Sequence, residues 1–385
     1  YARIMPKIKA KIQPVWSIDA ERQFVFMSAL SSLGFIFDPF EHLDSTRDAR
    51  LQEYLIIPKA VEITLSDQPI AVFAQPGGGK SALRIYTARF YRDSRGVKFP
   101  VTYVPETHST DTNFHLEGIR RSLARAVFIY LLSYPDFFFT LPSKIKRKIK
   151  QILSSLPYGL KFNLTGLTPG RFMMDIEQLL GVSALSGIQS MGQAHQQMAL
   201  QLTREAFTDS SPITLDEGFD LLNEAFGVKS IHILVDGLDG FVETKPAGAL
   251  VAWIEPLLDV LEGWGNNNIY IKLFLPMDIS EVPATTNLRM LRTAVLEWDD
   301  GLLAEVIRRR VFVASGGAFN SLDAISAPDV RNVELHLARQ LGEKQKLPRQ
   351  IILKSRKIIK QAIESRKGWI ADEDLLVGEP SYVAI

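Results

Sequence analysis

The chain has 385 residues, of which 46% are hydrophobic and 23% are charged, and its formal net charge is +1. This length allows two or three domains with a sizeable core, and the balanced charge gives no general attraction to nucleic acid or to a membrane. The chain has no cysteine, which excludes disulfides, thiolate metal sites and cysteine nucleophiles. We therefore expect a globular protein of the reducing cytoplasm.

The first 60 residues predict an N-terminal extension. Residues 1 to about 16 are basic and contain two prolines, which is typical of an arm or linker. Ser17 or Asp19 can cap a helix that continues to about residue 33, and a second short helix is expected around residues 51–57. We assign residues 1–60 to this arm and helical extension.

Five short runs of apolar or β-branched residues predict strands. They are Ile70–Ala74, Val101–Val104, Ile231–Val235, Ile269–Leu275 and Ala294–Trp298. Because these runs are almost continuously apolar and alternate with helical stretches, they indicate a parallel sheet covered by helices on both faces. The predicted fold class is α/β, with a parallel five-stranded sheet.

Helical patterns dominate two other parts of the chain. The segment between the second and third predicted strands is far longer than one crossover helix needs, and its amphipathic stretches predict a helical insertion at about residues 135–225. We place this insertion within a core domain of residues 61–300. No strand is evident after Trp298, and the remaining residues, 301–385, predict a C-terminal α-helical lid.

A glycine-rich segment follows the first predicted strand. It reads IAVFAQPGGGKSALRIY, residues 70–86, and places three glycines, a lysine and a serine between an apolar strand and a helix. Glycines let backbone N–H groups turn towards phosphate oxygens, the helix N-terminus adds the positive end of its dipole, and the lysine neutralises phosphate charge. The usual pattern G-x-x-x-x-G-K-[ST] has glycine where this chain has Ala74.

The predicted phosphate-binding residues are consecutive. They are Gln75, Pro76, Gly77, Gly78, Gly79, Lys80, Ser81 and Ala82. Lys80 is also a predicted catalytic residue because its charge neutralises the β- and γ-phosphate oxygens, and the hydroxyl of Ser81 is expected to ligate Mg²⁺. The methyl group of Ala74 need not block the loop, because the glycines nearer the phosphates supply the flexibility.

An acidic residue ends the third predicted strand. The segment SIHILVDGLDG, residues 230–240, is an apolar run that ends in Asp236. The carboxyl end of a neighbouring parallel strand is where a Mg²⁺-linked carboxylate is needed, so Asp236 is a predicted metal-binding and catalytic residue. Asp239 is the nearest acid that could orient an attacking water.

Three arginines are candidates for contacts with phosphate. Arg289 and Arg292 precede the fifth predicted strand, and Arg349 begins the last predicted helix. Arginine suits these places because its charge persists and its guanidinium fork matches phosphate oxygens. The alternative for each is an ordinary surface ion pair.

The order of these motifs resembles that of AAA+-type P-loop NTPases, and in particular the STAND and KAP-like ATPases of prokaryotic conflict and signalling systems. The segments that carry the resemblance are FDPFEHLDSTRDARLQEYLI before the loop, VDGLDG, IKLFLP and LEWDDGLLAEVIRRR. The resemblance covers about residues 37–375. It implies that the nucleotide is ATP bound with Mg²⁺.

The resemblance also implies roles for single residues. Lys80 and Ser81 would hold phosphate and Mg²⁺, with Asp236 in the Mg²⁺ shell. Arg292 or Arg289 would be the arginine offered to the nucleotide of the next subunit, and Arg349 would sense the γ-phosphate in its own chain. Active sites would then form between subunits of a homo-oligomer that regulates an effector protein or a fused domain.

Three departures from the family pattern predict slow hydrolysis. Gly237 rather than glutamate follows Asp236, Gly240 stands where related proteins often have an acid, and the fourth strand runs into LPMD without an evident polar sensor. We therefore expect an ATP-dependent switch that is held in one state by ATP and released by slow hydrolysis.

Two other functions are alternatives. Residues 344–367 carry nine basic residues and one acidic residue, which would suit a DNA-acting ATPase of the initiator or transposition-regulator type. Nucleic acid is the less favoured partner, because no interleaved aromatics or helix-turn-helix accompany this charge. The third function is a nucleotide-binding scaffold without turnover. No membrane partner is expected, because the most apolar stretch, residues 126–141, contains Pro135 and Asp136.

Overall fold

The structure is a computed structural model that describes most of the chain. The described residues are 26–94, 97–107, 109–181, 192–207, 211–237, 247–281, 288, 291–365 and 367–375. They form two units. One comprises residues 42–298 with 347–349, and the other comprises the described residues of 1–41, 299–346 and 350–385. The predicted arm, residues 1–16, lies outside the described residues.

The larger unit contains a five-stranded sheet. Its strands are β1 (Ile70–Ala74), β2 (Lys98–Tyr103), β3 (Ser230–Val235), β4 (Ile269–Pro276) and β5 (Arg292–Val295). They lie in the order β2-β3-β4-β1-β5, and every pair of neighbours is parallel. The predicted α/β class and parallel five-stranded sheet are confirmed.

Both faces of the interior strand β1 are buried. Ala71 and Phe73 pack into one apolar cluster, whereas Ile70, Val72 and Ala74 pack into another. Successive side chains of a strand point to opposite faces of its sheet, so the two clusters are the cores on the two faces. This explains why an almost unbroken apolar run, rather than an alternating pattern, predicts these strands.

The fifth strand lies earlier in the chain than predicted. It begins at Arg292, which pairs with Ile70 at the start of β1, and it ends at Val295, which pairs with Phe73. The prediction of a strand through Trp298 was therefore wrong at both ends. Register with β1 rather than apolar content sets the limits of this edge strand.

The connections that follow β1 and β4 lead in opposite directions. After β1 the chain crosses to β2 at the far edge, and after β4 it passes β1 to form β5 at the other edge. Neighbouring parallel strands whose connections diverge form a topological switch point, and ligands of open α/β sheets bind outside the carboxyl ends of the strands there. The carboxyl ends of β1 and β4 are therefore the expected place for a ligand.

Helices pack on the sheet and fill the long connection between β2 and β3. They are α1 (Leu51–Tyr54), α2 (Lys80–Asp93), α3 (Thr112–Ser133), α4 (Pro135–Thr140), α5 (Ser143–Leu153), α6 (Tyr158–Thr165), α7 (Phe172–Leu180), α8 (Gln193–Ala206), α9 (Leu215–Phe226), α10 (Ala247–Leu258) and α11 (Leu261–Asn266). The predicted insertion, residues 135–225, coincides with α4 to α9. Within the described residues it contains helices and turns and no strand.

The most apolar stretch of the chain is divided between two helices. α3 ends at Ser133, and Pro135 begins α4, where proline is favoured because its missing N–H would have no partner in the first turn. Phe128 and Phe138, one on each helix, are fully buried. Among the helices that the structure describes, none is both long enough and apolar enough to cross a membrane.

A buried polar cluster lies near the amino ends of the strands. Lys272 on β4 donates from Nζ to the carbonyl oxygens of Ser66 and Gln68, the latter at 2.6 Å, and burial lowers the pKa of Lys272 to about 7. His232 on β3 stacks on Tyr91 with ring centroids 4.0 Å apart. Burial, reinforced by nearby lysines, lowers the pKa of His232 to about 2, so this imidazole is neutral at physiological pH.

The smaller unit is helical. Its helices are α12 (Asp300–Ala314), α13 (Val333–Arg339), α14 (Pro348–Glu364) and α15 (Asp372–Leu375), of which α14 begins with residues of the larger unit, and residues 26–32 are also helical. The N–H of Ile36 donates to the carbonyl oxygen of Ala314 at 2.7 Å, and Arg310 donates to the carbonyl oxygen of Pro39 at 2.9 Å. These bonds join the residues that precede His42 to the C-terminal helices.

The basic segment of residues 344–367 is partly neutralised within this unit. Lys346 pairs with Asp300 at 3.2 Å, and Arg356 pairs with Asp38 at 3.5 Å. Lys360 pairs with Glu364 at 3.7 Å. These carboxylates reduce the positive charge that the segment can offer to nucleic acid.

Candidate functional site

The loop between β1 and α2, residues 75–79, is called the glycine loop here. Its first four residues form a turn in which the N–H of Gly78 donates to the carbonyl oxygen of Gln75 at 2.9 Å. Pro76 occupies the second position, and Gly77, with φ of +83°, occupies the third. Proline followed by a residue of positive φ is the pattern of a type II turn. Gly79, with φ of +97°, then opens α2.

The structure explains how alanine at position 74 is accommodated. A Cβ atom added to Gly78 would lie 3.1 Å from the Cβ of Ala74 and 2.9 Å from the carbonyl oxygen of Gln75. The methyl group of Ala74 therefore occupies space that any side chain at position 78 would need. Because position 78 is glycine, the loop keeps its turn with alanine at the strand end.

Lys80 lies beneath the glycine loop. Its side chain is buried, and Nζ donates to the carbonyl oxygens of Ala74 at 2.7 Å and Gln75 at 3.1 Å. Ser81 and Ala82 follow in the first turn of α2, where backbone N–H groups and the helix dipole favour an anion. The predicted phosphate-binding residues thus share one strand–loop–helix junction at the switch point of the sheet.

Asp236 lies directly after β3 and forms a buried ion pair that sequence reasoning missed. Arg84, on α2, donates from Nε to Oδ2 of Asp236 at 2.9 Å. The two side chains are only 9% and 6% exposed. Arg84 lies four residues after Lys80 in an otherwise apolar part of the helix. Because a buried arginine needs a carboxylate partner, this position could have predicted the ion pair from the sequence.

The position after Asp236 excludes a glutamate for a structural reason. Gly237 has φ of +90°, and a Cβ atom added there would lie 2.6 Å from Cγ1 of Val104. A side chain at this position would be strained and would clash with the segment that follows β2. Asp239, the predicted orienting acid, lies outside the described residues.

Arg349 lies against the glycine loop. Its N–H donates to the carbonyl oxygen of Gly77 at 3.3 Å, and a Cβ atom added to Gly77 would lie 2.9 Å from the Cβ of Arg349. The side chain of Arg349 is exposed. The structure therefore brings this predicted residue to the loop with its guanidinium accessible to solvent.

Trp298 is a second loop neighbour that sequence reasoning missed. Its Nε1 donates to the carbonyl oxygen of Gly78 at 2.9 Å, and its ring lies against Gly79. The apolar pattern predicted that this residue belongs to the fifth strand. No pattern in the sequence predicted that its side chain contacts the loop. The indole fixes the loop carbonyl from outside the turn.

Arg292 is not brought to the same site. It pairs with Ile70, which lies four residues before Ala74 at the carboxyl end of β1. At roughly 3.3 Å per residue, Arg292 is therefore about 13 Å from the end of the sheet where the glycine loop begins. Its side chain is exposed on the edge strand β5. Arg289, the alternative, lies outside the described residues.

The residues present fit a Mg²⁺ ion that is bound together with phosphate. Mg²⁺ is usually held by one or two carboxylates, water and substrate phosphates rather than by a protein cage. In the part of the chain that the structure describes, no cluster of three or more acidic, histidine or cysteine residues forms such a cage. Ser81 on α2 and Asp236 after β3 would supply a hydroxyl and a carboxylate, the donor types that such an ion requires, and in this structure the carboxylate is held by Arg84.

Comparison with known proteins gives no assignment. No protein-family model matches the chain. No curated protein matches it either.

Proposed function

We propose that the glycine loop binds the phosphates of ATP with Mg²⁺, and that the protein is a slowly hydrolysing, nucleotide-dependent switch. The observation that carries the proposal is the convergence of Lys80 and Arg349 on one positive-φ glycine loop at the switch point of a parallel sheet. Backbone N–H groups, a helix N-terminus and two cations at one place are what a polyphosphate requires.

Each residue has a defined task in this proposal. Lys80 exchanges its contacts with the loop carbonyls for phosphate oxygens, and Arg349 provides a second cation beside Gly77. Ser81 and Asp236 would hold Mg²⁺, which supplies charge neutralisation on the phosphates when bound. Trp298 holds the loop carbonyl of Gly78 so that the turn keeps its shape.

Slow hydrolysis follows from the surroundings of Asp236. The ion pair with Arg84 competes with Mg²⁺ for the carboxylate, and the backbone at Gly237 excludes a neighbouring glutamate. A long-lived ATP state would let the nucleotide control self-assembly, and the exposed Arg292 on the edge strand is the residue offered to a neighbouring copy. The role as a cytoplasmic regulatory module of a defence or signalling system rests on the sequence resemblance alone.

The test of binding is calorimetric titration with ATP and Mg²⁺. Lys80→Ala is expected to weaken binding at least about tenfold, because a charge-assisted hydrogen bond contributes about 1.5–3 kcal/mol. The matched control is Lys144→Ala, which removes an exposed lysine from the first turn of α5. Equal ATP affinity in wild type and Lys80→Ala would overturn the assignment of the loop.

The test of assembly is phosphate release against protein concentration. If active sites form between subunits, the rate per chain rises with concentration, and Arg292→Ala lowers it without changing ATP affinity. Arg147→Ala, which removes an exposed arginine from α5, is the control. A rate per chain that is constant from dilute to concentrated protein would rule out the role of Arg292.

A nucleotide-binding scaffold without turnover is the second candidate, and the Asp236–Arg84 ion pair favours it. If Asp236 stays bound to Arg84 after ATP binds, the carboxylate never reaches Mg²⁺. This function predicts ATP binding without phosphate release at any concentration. It also predicts that Asp239→Ala leaves ATP affinity unchanged.

A further inference from the structure

A cavity of about 530 Å³ lies beside β2, between α2 and α3. Its volume falls in the range of about 300–1,000 Å³ that is usual for small-molecule sites. Gln75, Lys80 and Arg349, which lie at or against the glycine loop, are not among its lining residues. The cavity is therefore distinct from the glycine loop, and one of its lining residues, Arg84, pairs with Asp236.

Four arginines line this cavity. Arg84 and Arg92 lie on α2, and Arg121 and Arg125 lie on α3. Arg121 and Arg125 are four residues apart and so share a face of α3, and Arg84 and Arg92, eight residues apart on α2, line the same space. Among the described lining residues, Glu106 is the sole acid. The lining is therefore strongly cationic.

Local carboxylates balance only part of this charge. Arg84 pairs with Asp236, and Arg121 donates to the exposed Glu117 side chain at 3.4 Å. Arg125 donates to the carbonyl oxygen of Leu180 at 2.7 Å, and among the described residues no carboxylate lies within ion-pair distance of it. Burial, with the nearby charge of Arg84, lowers the pKa of Arg125. Because the like charges in this cluster repel one another, binding of an anion would stabilise them strongly.

Aromatic rings form part of the same wall. The ring of Tyr103 is held by a hydrogen bond of 2.9 Å between its hydroxyl and Nδ1 of His115. Gly118 on α3 makes room for this ring, since a Cβ atom there would lie 2.5 Å from Cε2 of Tyr103. Phe114 also lines the cavity. Fixed rings beside arginines suit a ligand that has a planar part as well as negative charge.

We propose that this cavity binds a phosphorylated small molecule with at least two negative charges, held by Arg92, Arg121 and Arg125. Guanidinium groups recognise phosphate oxygens in a fork, and several of them account for affinity without a metal ion. Arg84 connects this site to Asp236, because a bound anion competes with the carboxylate for the same guanidinium. That connection, unlike the site itself, rests on the proposed function.

The experiment uses inorganic pyrophosphate as the probe, in calorimetric titrations at low ionic strength, where screening is weakest. The full chain carrying Lys80→Ala is expected to keep one pyrophosphate site. Adding Arg125→Met or Arg121→Met is expected to weaken that site at least tenfold, and Arg125→Lys is expected to restore part of the affinity. Arg147→Met, an equal loss of charge on exposed α5, is expected to have no effect.

The outcomes distinguish this site from the glycine loop. If the loop does not bind phosphate, wild type and Lys80→Ala bind pyrophosphate equally, and Arg125→Met still removes the binding. If Lys80→Ala binds no pyrophosphate at millimolar concentration, or if both Arg121→Met and Arg125→Met leave the binding unchanged, the cavity site is overturned.

The connection through Arg84 has its own measurement. With the loop saturated by Mg²⁺ and a non-hydrolysable ATP analogue, pyrophosphate reports on the cavity alone. Because coupling between sites is reciprocal, a nucleotide that draws Asp236 away from Arg84 is expected to tighten pyrophosphate binding at least threefold. An unchanged affinity would refute the coupling.

Discussion

Replacing Arg84 by methionine tests whether the ion pair with Asp236 is a structural unit of the core. The pair has an Nε–Oδ2 distance of 2.9 Å, and both side chains are at most 9% exposed. At an effective dielectric constant of about 20, two unit charges at that distance attract by about 6 kcal/mol, most of which offsets the cost of removing both ions from water. Breaking such a pair costs about 3–5 kcal/mol, because the remaining charge stays buried and unpaired.

We therefore expect Arg84→Met to lower the free energy of unfolding by about 3 kcal/mol in urea titrations followed by circular dichroism. The double variant Arg84→Met with Asp236→Asn should recover much of this loss, since it leaves no buried charge. Arg89→Met on the same helix is the control, because its exposed pair with Asp93 contributes at most about 0.5 kcal/mol. A loss below about 1 kcal/mol for Arg84→Met, or a double variant no more stable than the single one, would refute this reasoning.

Three further predictions concern the loop and the core. Gly78→Ala should lower the unfolding free energy by about 1–3 kcal/mol, and adding Ala74→Gly should recover part of it, because one of two close contacts disappears. Gly237→Glu should cost about 2 kcal/mol or more, and Val104→Ala should relieve only the steric part, since the positive φ remains. Both are measured by urea unfolding. His232 should make the unfolding free energy fall by about 2 kcal/mol between pH 8 and 5, because the unfolded imidazole gains a proton that the folded one, with a pKa of about 2, does not. His232→Asn should remove that part of the fall.

Each of these has a result that would contradict it. If Ala74→Gly gives no recovery, the Cβ contact at 3.1 Å is not what limits position 78. If Val104→Ala recovers none of the stability that Gly237→Glu loses, the contact with Cγ1 of Val104 is not what limits the residue at position 237. His336→Asn, at an exposed histidine, is the control for the pH series, and an equal effect of both substitutions would show that burial is not the cause.

The sequence predicts β1 to β4 because each of these strands is a local apolar pattern, whereas the limits of β5 depend on its register with β1. Ile70–Ala74 is buried on both faces, so its apolar run is visible without knowledge of its neighbours. The glycine loop is equally local, since glycine, proline and lysine are needed within a few residues of one another. These features depend on the local backbone conformations that each residue type allows, so they can be predicted from the residues of one short segment.

The rest of the site depends on contacts between distant parts of the chain. Arg84 and Asp236 are 152 residues apart, and Trp298 is 220 residues from Gly78. No helical or strand periodicity records such a pairing. The cavity arginines show the same limit. Arg84 and Arg125 look like ordinary helix residues in the sequence, and only the packing of two helices against β2 brings them to one space.

The packing of Gly237 against Val104 also limits how this protein can change over generations. A carboxylate beside Asp236 would require a residue that tolerates φ of +90° and a smaller neighbour at position 104. Neither substitution is of use without the other, and the first one alone harms stability. The two positions are thus epistatic, and in a lineage that carries both residues the shape of a single backbone turn keeps a second carboxylate away from Asp236.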